Sequence, residues 1–412
     1  MTTEKIPCIT LNRQADRRTG LGHPWIFSNE IADMKRVQQI EPGTFAEVLD
    51  CHGNYLGTGF VQPKSLITVR ILSRKREVEI DEQLFFKKIH RAVEIREILY
   101  GRHTPYQSTY RAVFGEADGL PGLIIDRFQG AWVIEPHAFG VYHRREWILN
   151  ALKRVHEEFF PKEKFAAALR TDSRAGTSEG IEAKSEWLTE KADQVFAVED
   201  GILFPVDPIQ GQKTGFFFDQ RDNRSFFSQW VGGKKEGVYL DLFCHLGGWG
   251  LRALKAGAEK VIFVDSSKTS LQVIGQIADK MGVRNKIELV ESDVEKYLDT
   301  APPNFFHGII LDPPALIPNK KSINQGVKVY KMLNEKSLRA LRKDGVLSTS
   351  SCSYHLTRER FFEVVHKALH TNVKQARVLR NSGMAADHPH RLEMEEGNYL
   401  KQLFLVVDDY VE

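Results

Sequence analysis

Residues 238–250 read VYLDLFCHLGGWG, and this stretch decides the fold of the C-terminal half of the chain. VYLDLF is a short apolar run typical of a buried strand, and the pattern becomes helical after the glycines. Gly247, Gly248 and Gly250 allow the backbone to approach a ligand at the end of the strand. Their spacing is not G-x-G-x-x-G, so the dinucleotide fingerprint fits poorly. A tight turn that binds nothing is the alternative explanation.

Strands and helices alternate from this point to the C-terminus. The later strands are VIFVD, IELVESD, FFHGIILDPP and VLSTSSCS, with helical patterns such as LQVIGQIADKMG and VYKMLNEKSLRALRKDG between them. Short apolar strands that alternate with helices predict a parallel, doubly wound α/β sheet. This domain is predicted to span residues 196–412, with two late strands near 376–379 and 400–407.

Acidic residues stand at the carboxyl ends of successive strands. Asp265 ends VIFVD, where a carboxylate can bind ribose hydroxyls, and Asp293 ends the next strand. Asp312 opens the motif Asp312-Pro313-Pro314. The prolines keep the backbone out of a helix and leave carbonyls that can accept hydrogen bonds from an amine-bearing ring. The pattern predicts a nucleoside-shaped cleft, and a rigid loop with a surface aspartate is the alternative for the last motif.

Cys352 lies just past the buried strand expected at residues 346–349, between Ser351 and Ser353. A free cysteine is usually a small buried apolar residue, and Cys244 in the glycine turn has that interpretation. Cys352 ends the strand after the one that carries Asp312, so both should open on the same edge of the sheet. Its position and its polar neighbours make it a candidate nucleophile.

The first part of the chain predicts a small β-barrel over residues 1–75. Turn signals separate three short strands, at residues 43–50, 55–61 and 66–72. Residues 74–81 are the first expected linker.

A central α+β domain is predicted over residues 80–195. Its first helix has the pattern LFFKKIHRAVEIREILY, which puts Leu84, Ile89, Val93 and Leu99 at roughly helical spacing. Strands joined at EADGLPG and RFQG follow, and polar residues 172–184 are expected to contain a loop. A later helix and two strands are expected near residues 147–159, 167–171 and 195–198.

Composition narrows the class of protein. The chain has 412 residues, of which 42% are hydrophobic and 27% charged, and this is ordinary for a globular chain of more than one domain. A net charge of +3 permits nucleic-acid binding without requiring it. The four cysteines show no metal or disulfide spacing, and no apolar run reaches the length of a membrane span. The expectation is a soluble, cytoplasmic protein that binds no metal.

Several motifs together resemble a known family. The glycine turn, Asp265, Asp293, DPP and SCS follow one another as in class I S-adenosylmethionine-dependent methyltransferases. The chain is more closely similar to the RlmI-like family of bacterial 23S ribosomal RNA cytosine-5 methyltransferases. The motifs that carry this likeness are GHPWIFSNEI (22–31), FGEADGLPGLIIDRF (114–128), GQKTGFFFDQRDNR (211–224), DLFCHLGGWG (241–250), DPP (312–314), SCS (351–353) and ADHPH (386–390). The resemblance implies an N-terminal PUA-like RNA-binding domain, a central α+β domain and a Rossmann-like methyltransferase domain.

The resemblance also implies a binding site for S-adenosylmethionine. Residues 213–216 are expected over its methionine end, Asp265 at the ribose and Asp293 near the adenine. The predicted cofactor-binding residues are Lys213, Thr214, Gly215, Phe216, Asp241, Phe243, Gly247, Gly248, Asp265, Ser266, Asp293 and Asp312.

The implied reaction is covalent catalysis. The Cys352 thiolate would add to carbon 6 of cytosine, so that carbon 5 becomes nucleophilic enough to accept a methyl group. Asp312 would hold the exocyclic amine or nitrogen 3, beside Pro313 and Pro314. Asp387 and His388 are candidates for substrate binding and for the base that removes the carbon-5 proton, and a loop that only caps the cleft is the alternative.

The implied partner is ribosomal RNA, most specifically 23S rRNA, with the target nucleotide unpaired or flipped. A homodimer is a fair expectation for the family. Basic residues that could contact RNA, or simply carry solvated charge, are Arg17, Arg18, Arg74, Lys75, Arg76, Arg111 and Arg127.

Three other functions stay open from the sequence. A base N-methyltransferase would use Asp312 and a proline carbonyl and would need no cysteine. A non-catalytic RNA-binding protein would keep the fold without binding the cofactor. A dehydrogenase is disfavoured by the glycine spacing.

Overall fold

The computed structural model describes residues 6–13, 15–211, 214–234 and 236–409. Contacts divide the chain into two compact units. The first comprises Met1–Gly201, Pro205–Phe218 and Asp387–Gly397, and the second Ile202–Phe204, Asp219–Ala386 and Asn398–Glu412. The segment that contains Asp387 therefore belongs with the N-terminal unit. The three domain boundaries expected from the sequence stay a prediction.

The first unit begins with a five-stranded sheet. Its strands are β1 (Cys8–Thr10), β2 (Trp25–Phe27), β3 (Phe45–Leu49), β4 (Tyr55–Val61) and β5 (Ile67–Ser73), with short helices α1 (Asp16–Gly20) and α2 (Met34–Val37). Their order is β1-β3-β4-β5-β2. Leu11 and Ile31, which follow the two edge strands, form an antiparallel bridge that joins those edges. The three strands expected from the sequence are confirmed, and the short β1 and β2 complete the barrel.

The same unit continues with a second five-stranded sheet and its helices. The elements are α3 (Glu82–Tyr100), β6 (Thr109–Phe114), β7 (Leu123–Phe128), β8 (Ala131–Pro136), α4 (Phe139–His143), α5 (Arg145–Phe159), β9 (Ala166–Arg170), α6 (Arg174–Ser178) and β10 (Ser185–Trp187). The strand order is β10-β9-β8-β7-β6. Ile89 and Val93 of α3 are fully buried in its core, as their helical spacing predicts, whereas Leu84 is half-buried and Leu99 is exposed. The polar stretch expected as a loop carries the short α6.

Two short strands, β11 (Phe196–Glu199) and β12 (Ile202–Pro205), precede the second unit's helices and sheet. The remaining elements are α7 (Arg221–Lys234), β13 (Val238–Leu242), α8 (Gly248–Ala256), β14 (Lys260–Asp265), α9 (Lys268–Lys280), β15 (Ile287–Glu291), α10 (Val294–Thr300), β16 (Phe306–Leu311), α11 (Ile323–Ala340), β17 (Leu341–Ser351), α12 (Arg358–Thr371), β18 (Lys374–Ser382) and β19 (Lys401–Asp409). Single 3-10 turns occur at Ser28–Glu30, Gly115–Asp118, Phe218–Gln220, Arg284–Lys286, Lys320–Ser322 and Glu395–Gly397.

The sheet of the second unit has seven strands in the order β15-β14-β13-β16-β17-β19-β18. The first five run parallel, which confirms the predicted α/β class. β19 pairs antiparallel with both β17 and β18. Apolar patterning shows that the last two strands exist but carries no information about their direction.

Local sequence sets where the helices on this sheet begin. The Ser267 hydroxyl accepts a hydrogen bond from the Ser270 amide at the start of α9, and Thr357 caps α12 in the same way. Leu240, Leu311 and Leu347 pack in one apolar core between sheet and helices. Within the described ranges, no helix is both long enough and apolar enough to cross a membrane.

Candidate active site

The carboxyl ends of β13 to β17 lie along one edge of the sheet, because these five strands are parallel. Asp265 ends β14, Asp293 follows β15, Asp312 follows β16 and Cys352 follows β17. Since β16 and β17 are neighbours, Asp312 and Cys352 come from adjacent strands. The structure thus brings the two residues together at the edge that the sequence predicts.

The turn between β13 and α8 requires glycine for two reasons, its backbone conformation and its close packing. Gly247 has φ +76°, in the left-handed region, and a side chain on it would also crowd Ile274. A Cβ on Gly250 would lie 2.3 Å from Cε1 of Phe263, so α8 can approach the sheet only with glycine there. Phe243, in the same turn, has φ +59° without being glycine. A non-glycine residue in this region is uncommon and is found where surrounding structure holds it.

Two aspartates hold this turn by accepting hydrogen bonds from its backbone amides. Oδ2 of Asp265 accepts a hydrogen bond from the His245 amide and Oδ1 one from the Ser267 amide, each at 2.9 Å. Asp241 is fully buried, and its Oδ2 accepts from the Gly250 amide at 2.9 Å. Burial raises the pKa of Asp241 well above its usual range. Its Oδ1 has no hydrogen-bond partner among the described residues, so the strand end holds a buried polar atom that is still unsatisfied.

Asp293 and Ser266 lie farther toward the surface. Asp293 is exposed, and its Oδ1 accepts from the Lys296 amide at 3.1 Å as the N-cap of α10. Ser266 is exposed beside Asp265. A helix cap accounts for Asp293 in structural terms, and its expected place near an adenine stays a prediction.

Asp312 is the centre of a hydrogen-bonded cluster. Gln220 Nε2 donates to Oδ1 at 2.9 Å, Trp249 Nε1 donates to Oδ2 at 3.2 Å, and the Ser350 hydroxyl donates to Oδ1. Burial raises the pKa of Asp312, the charge of Asp219 raises it further, and the three hydrogen bonds oppose the rise. The cluster holds the carboxylate in one orientation and leaves it half-buried.

Cys352 lies in a turn fixed by buried hydroxyl groups. Its thiol donates to the Pro313 carbonyl at 3.8 Å, which links the two predicted motifs. The Ser353 hydroxyl is 2.9 Å from the Tyr330 hydroxyl and accepts from the Ile317 amide at 3.1 Å. Ser351 donates to the same Tyr330 oxygen at 2.9 Å. The serines on either side of Cys352 therefore hold the turn, while Cys352 itself stays partly exposed.

Three further predicted cofactor-binding residues, Thr214, Gly215 and Phe216, belong to the first unit. The Thr214 hydroxyl donates to Asp126, Gly215 has φ +114°, and Phe216 is buried against Phe218. Lys213 lies outside the described residues.

Asp387 and His388 are also interior residues of the first unit. Oδ2 of Asp387 accepts from the Arg111 amide at 3.1 Å, and Oδ1 lies 2.8 Å from His388 Nδ1. Arg96 donates to the Asp387 carbonyl at 3.1 Å. These contacts anchor the segment, and the expected roles of the two side chains toward a substrate stay predictions.

Several of the basic residues considered for RNA already have internal partners. Arg18 binds Glu30 at 2.8 Å, and Arg74 donates to the carbonyls of Thr19, Leu56 and His23. Arg111 and Arg127 are buried, with ion pairs to Asp126 and Glu163. Arg17 and Lys75 remain exposed. Among these candidates, Arg17 and Lys75 are the residues whose exposure best suits contact with RNA.

Sequence reasoning missed the residues that position the reactive groups. Gln220, Trp249, Ser350 and Tyr330 touch Asp312 or the Cys352 turn, and Lys401 donates to the Ser353 carbonyl at 2.6 Å. Gln220 and Trp249 lie inside motifs quoted above, so a motif match could have marked them. Nothing in the local sequence of Tyr330 or Lys401 indicates their place.

Two family models match parts of the chain. A PUA-like domain matches residues 9–74, and the family described as conserved hypothetical protein 95 matches residues 220–376. The chain is similar along its length to proteins named ribosomal RNA large subunit methyltransferase I. The relative from Tolumonas auensis is 32% identical over 96% of this chain and 98% of that protein. The relative from Shewanella frigidimarina is 33% identical over 95% of this chain and 96% of that protein.

Solved structures share the fold at lower identity. A candidate SAM-dependent methyltransferase from Streptococcus mutans is 20% identical and superposes with a TM-score of 0.79, over 97% of this chain and all of that chain. A candidate methyltransferase complexed with SAH, also 20% identical, gives 0.80 over 97% of this chain and all of that chain. At this identity the likeness establishes the fold.

Proposed function

The chain belongs to the ribosomal RNA large subunit methyltransferase I family, and from that premise we propose that it is an S-adenosylmethionine-dependent methyltransferase that forms 5-methylcytosine in 23S ribosomal RNA. One observation carries the finer part of the proposal. Cys352 and Asp312 end adjacent strands, and the Cys352 thiol lies 3.8 Å from the carbonyl of the residue after Asp312. A nucleophile and a carboxylate at the same place are what cytosine-5 chemistry requires.

The residues at the strand ends fit the cofactor. The turn at Gly247 brings backbone to the end of β13, and Asp265 stands where a carboxylate can meet ribose hydroxyls. The unsatisfied Oδ1 of Asp241 and the exposed Asp293 supply further acceptors nearby. We assign Asp241, Phe243, Gly247, Gly248, Asp265, Ser266, Asp293 and Asp312 of the second unit to this site. The cofactor contacts of Lys213, Thr214, Gly215 and Phe216 stay a prediction from the family resemblance. When bound, S-adenosylmethionine supplies an electrophilic methyl group.

Cys352 would make the cytosine ring reactive. Carbon 5 of cytosine is too electron-poor to accept a methyl group unaided. Addition of the Cys352 thiolate to carbon 6 pushes electron density to carbon 5, which then forms the new carbon–carbon bond. Loss of the carbon-5 proton to a base expels the thiolate and restores the aromatic ring. Cysteine suits this role because it is a strong nucleophile and leaves readily.

Asp312 would hold the base while this happens. Its hydrogen bonds from Gln220, Trp249 and Ser350 fix its orientation before any substrate arrives. Burial and the charge of Asp219 raise its pKa, so it binds a proton more readily than an ordinary aspartate. Such a group can hydrogen-bond the exocyclic amine or share a proton with nitrogen 3 as the thiolate adds.

A base N-methyltransferase is the second candidate. The Asp312 cluster and the Pro313 carbonyl could position an exocyclic amine for direct methylation, and Cys352 would then only pack. The two functions give different methylated nucleosides, so the product distinguishes them.

The test is to incubate the protein with methyl-labelled S-adenosylmethionine and deproteinised 23S rRNA, and then to digest the RNA to nucleosides. Label in 5-methylcytidine is the expected result. Label in an N-methylated base would replace the proposal with the second candidate. Assembled ribosomal particles, offered in parallel, would show whether naked RNA is the preferred substrate.

With ribosomal RNA as the proposed substrate, we expect the reaction to take place in the cytoplasm. The exposed Arg17 of the PUA-like domain and the exposed Lys75, which directly follows the matched residues, would contribute phosphate contacts. A homodimer stays a prediction, which sedimentation of the purified protein would check.

A further inference from the structure

Lys401 is a buried lysine at the turn that carries Cys352. It is the first residue of β19 and pairs with Ser351, the last residue of β17. The residue is 4% exposed. Nζ donates to the Ser353 carbonyl at 2.6 Å and to the Tyr399 carbonyl at 2.8 Å. Ser351 and Ser353 flank Cys352, so Lys401 contacts the chain on both sides of the candidate nucleophile.

The two carbonyls do not use the full hydrogen-bonding capacity of the ammonium group. An ammonium group has three N–H donors, and the third N–H of Lys401 has no acceptor among the described residues. A buried cation is costly unless an anion or strong acceptors compensate it. The described residues place no carboxylate in an ion pair with Lys401.

We propose that Lys401 is a positioning residue that holds a positive charge beside Cys352 and so keeps the sulfur as a thiolate. The inference rests on the proposed function, in which that thiolate attacks carbon 6. Burial lowers the pKa of Lys401 to about 8, and the charge of the Cys352 thiolate opposes that shift. An opposite charge at the same turn favours the ionised form of both groups.

Other ionisable groups surround the same turn. Tyr330, from α11, lies behind it, and burial raises the pKa of that phenol. Arg358, at the start of α12, lowers the pKa of Lys401. Asp312, reached through Ser350, opposes thiolate formation by its own charge. Lys401 contacts the turn directly, whereas Arg358 donates to Asn381 and to the carbonyls of Ser382 and Leu400.

The experiment measures ionisation of the thiol without RNA or cofactor. The full-length protein is treated with iodoacetamide across a range of pH, and alkylation of the peptide that contains Cys352 is followed by mass spectrometry. Peptide mapping separates Cys352 from the exposed Cys8 and the partly exposed Cys51. Lys401→Met should move the pH midpoint of alkylation upward by about one unit. Lys401→Arg, which keeps the charge, should restore most of the wild-type midpoint.

Lys374→Met is the matched control. Lys374 is also buried at the sheet and donates to the main-chain carbonyls of Leu338 and Leu341 at 2.7 and 2.6 Å, and in addition to Asn304 Oδ1 at 3.1 Å. Its replacement removes a buried lysine of the same kind away from Cys352 and should leave the alkylation midpoint unchanged. An unchanged midpoint in Lys401→Met would overturn the proposal.

A reciprocal measurement keeps the proposal testable if Lys401→Met does not fold. The titration of Lys401 is followed by NMR with lysine labelled at Cε, in the wild type and in Cys352→Ala. Because coupling between two charges is mutual, loss of the thiolate should lower the titration midpoint of Lys401. Equal midpoints would refute the pairing. Failure to form 5-methylcytidine would overturn the proposed function and leave these two titrations standing.

Discussion

The indole N–H of Trp249 donates to Asp312 across 3.2 Å, so a residue of the glycine turn after β13 holds the carboxylate that follows β16. The contact makes the turn part of the reactive site as well as part of the fold. Trp249 is 5% exposed and packs edge to face on Phe227, which fixes the indole in place. The geometry of Asp312 therefore depends on the packing of α8.

Replacing Trp249 by phenylalanine should shift the acidic limb of the pH profile. The hydrogen bond from Trp249 lowers the pKa of Asp312, against burial and the charge of Asp219, which raise it. Its loss should move the acid limb of methyl transfer to higher pH, by less than about one unit. Trp230→Phe, on α7 and away from Asp312, is the control and should leave the profile in place. A profile that does not move in Trp249→Phe would show that Asp312 does not control the acid limb.

Cys352→Ala should abolish methyl transfer, with a loss of about a thousandfold or more, because in the proposed reaction the Cys352 thiolate forms the carbon-6 adduct. Cys244→Ala is the control, since Cys244 is buried in the glycine turn. It should cost some stability and keep turnover within a few-fold. Formation of 5-methylcytidine in a discontinuous assay measures the turnover of both variants. Near-normal turnover by Cys352→Ala would favour the N-methyltransferase.

Gly250→Ala should destabilise the second unit. The added Cβ would lie 2.3 Å from Phe263, a fully buried residue of β14, so helix and sheet must separate. Overpacking of this kind costs about 1–3 kcal/mol. Gly233→Ala, in the last turn of α7, should stabilise by up to about 1 kcal/mol, since no atom of the described residues lies within 4 Å of the added Cβ. Urea unfolding of both variants checks the signs, and equal effects would show that Gly250 has no packing role.

Much of the fold follows from the sequence for identifiable reasons. The strands β13 to β17 are short apolar runs separated by helical patterns, so their existence and their parallel direction could be predicted. The antiparallel β19 could not, because an apolar run has no direction until it pairs. The short β1 and β2 were missed, because three residues are too few to show alternation.

The candidate site likewise contains residues that the sequence predicts and residues that it does not. Asp265, Asp312 and Cys352 were predictable because each stands at the end of an apolar run. Lys401 and Tyr330 were not, since each reaches the Cys352 turn through the tertiary fold. Basic residues were over-predicted as RNA contacts: Arg111 and Arg127 look like surface charge in sequence, yet both are buried in ion pairs.

Lys88 predicts a pH dependence of stability in the first unit. It lies on α3, and its Nζ donates to the carbonyls of Leu72 and Gly119, each at 2.6 Å. Burial lowers its pKa to about 8, so between about pH 8 and 10 the unfolded chain binds more protons than the folded one. The free energy of unfolding that this residue contributes must then rise with pH across that window.

Comparison with Lys88→Met isolates this contribution, because the other titrating groups are common to both proteins. The free energy of unfolding of the wild type minus that of Lys88→Met should increase from pH 8 to 10, by at most about 3 kcal/mol. Lys87→Met, at an exposed position on the same helix, is the matched control and should give a flat difference. Guanidinium unfolding at several pH values, followed at the transition of the first unit, measures both. A difference that falls with pH would mean that the two carbonyls hold Lys88 charged, and that hydrogen bonding outweighs burial at this site.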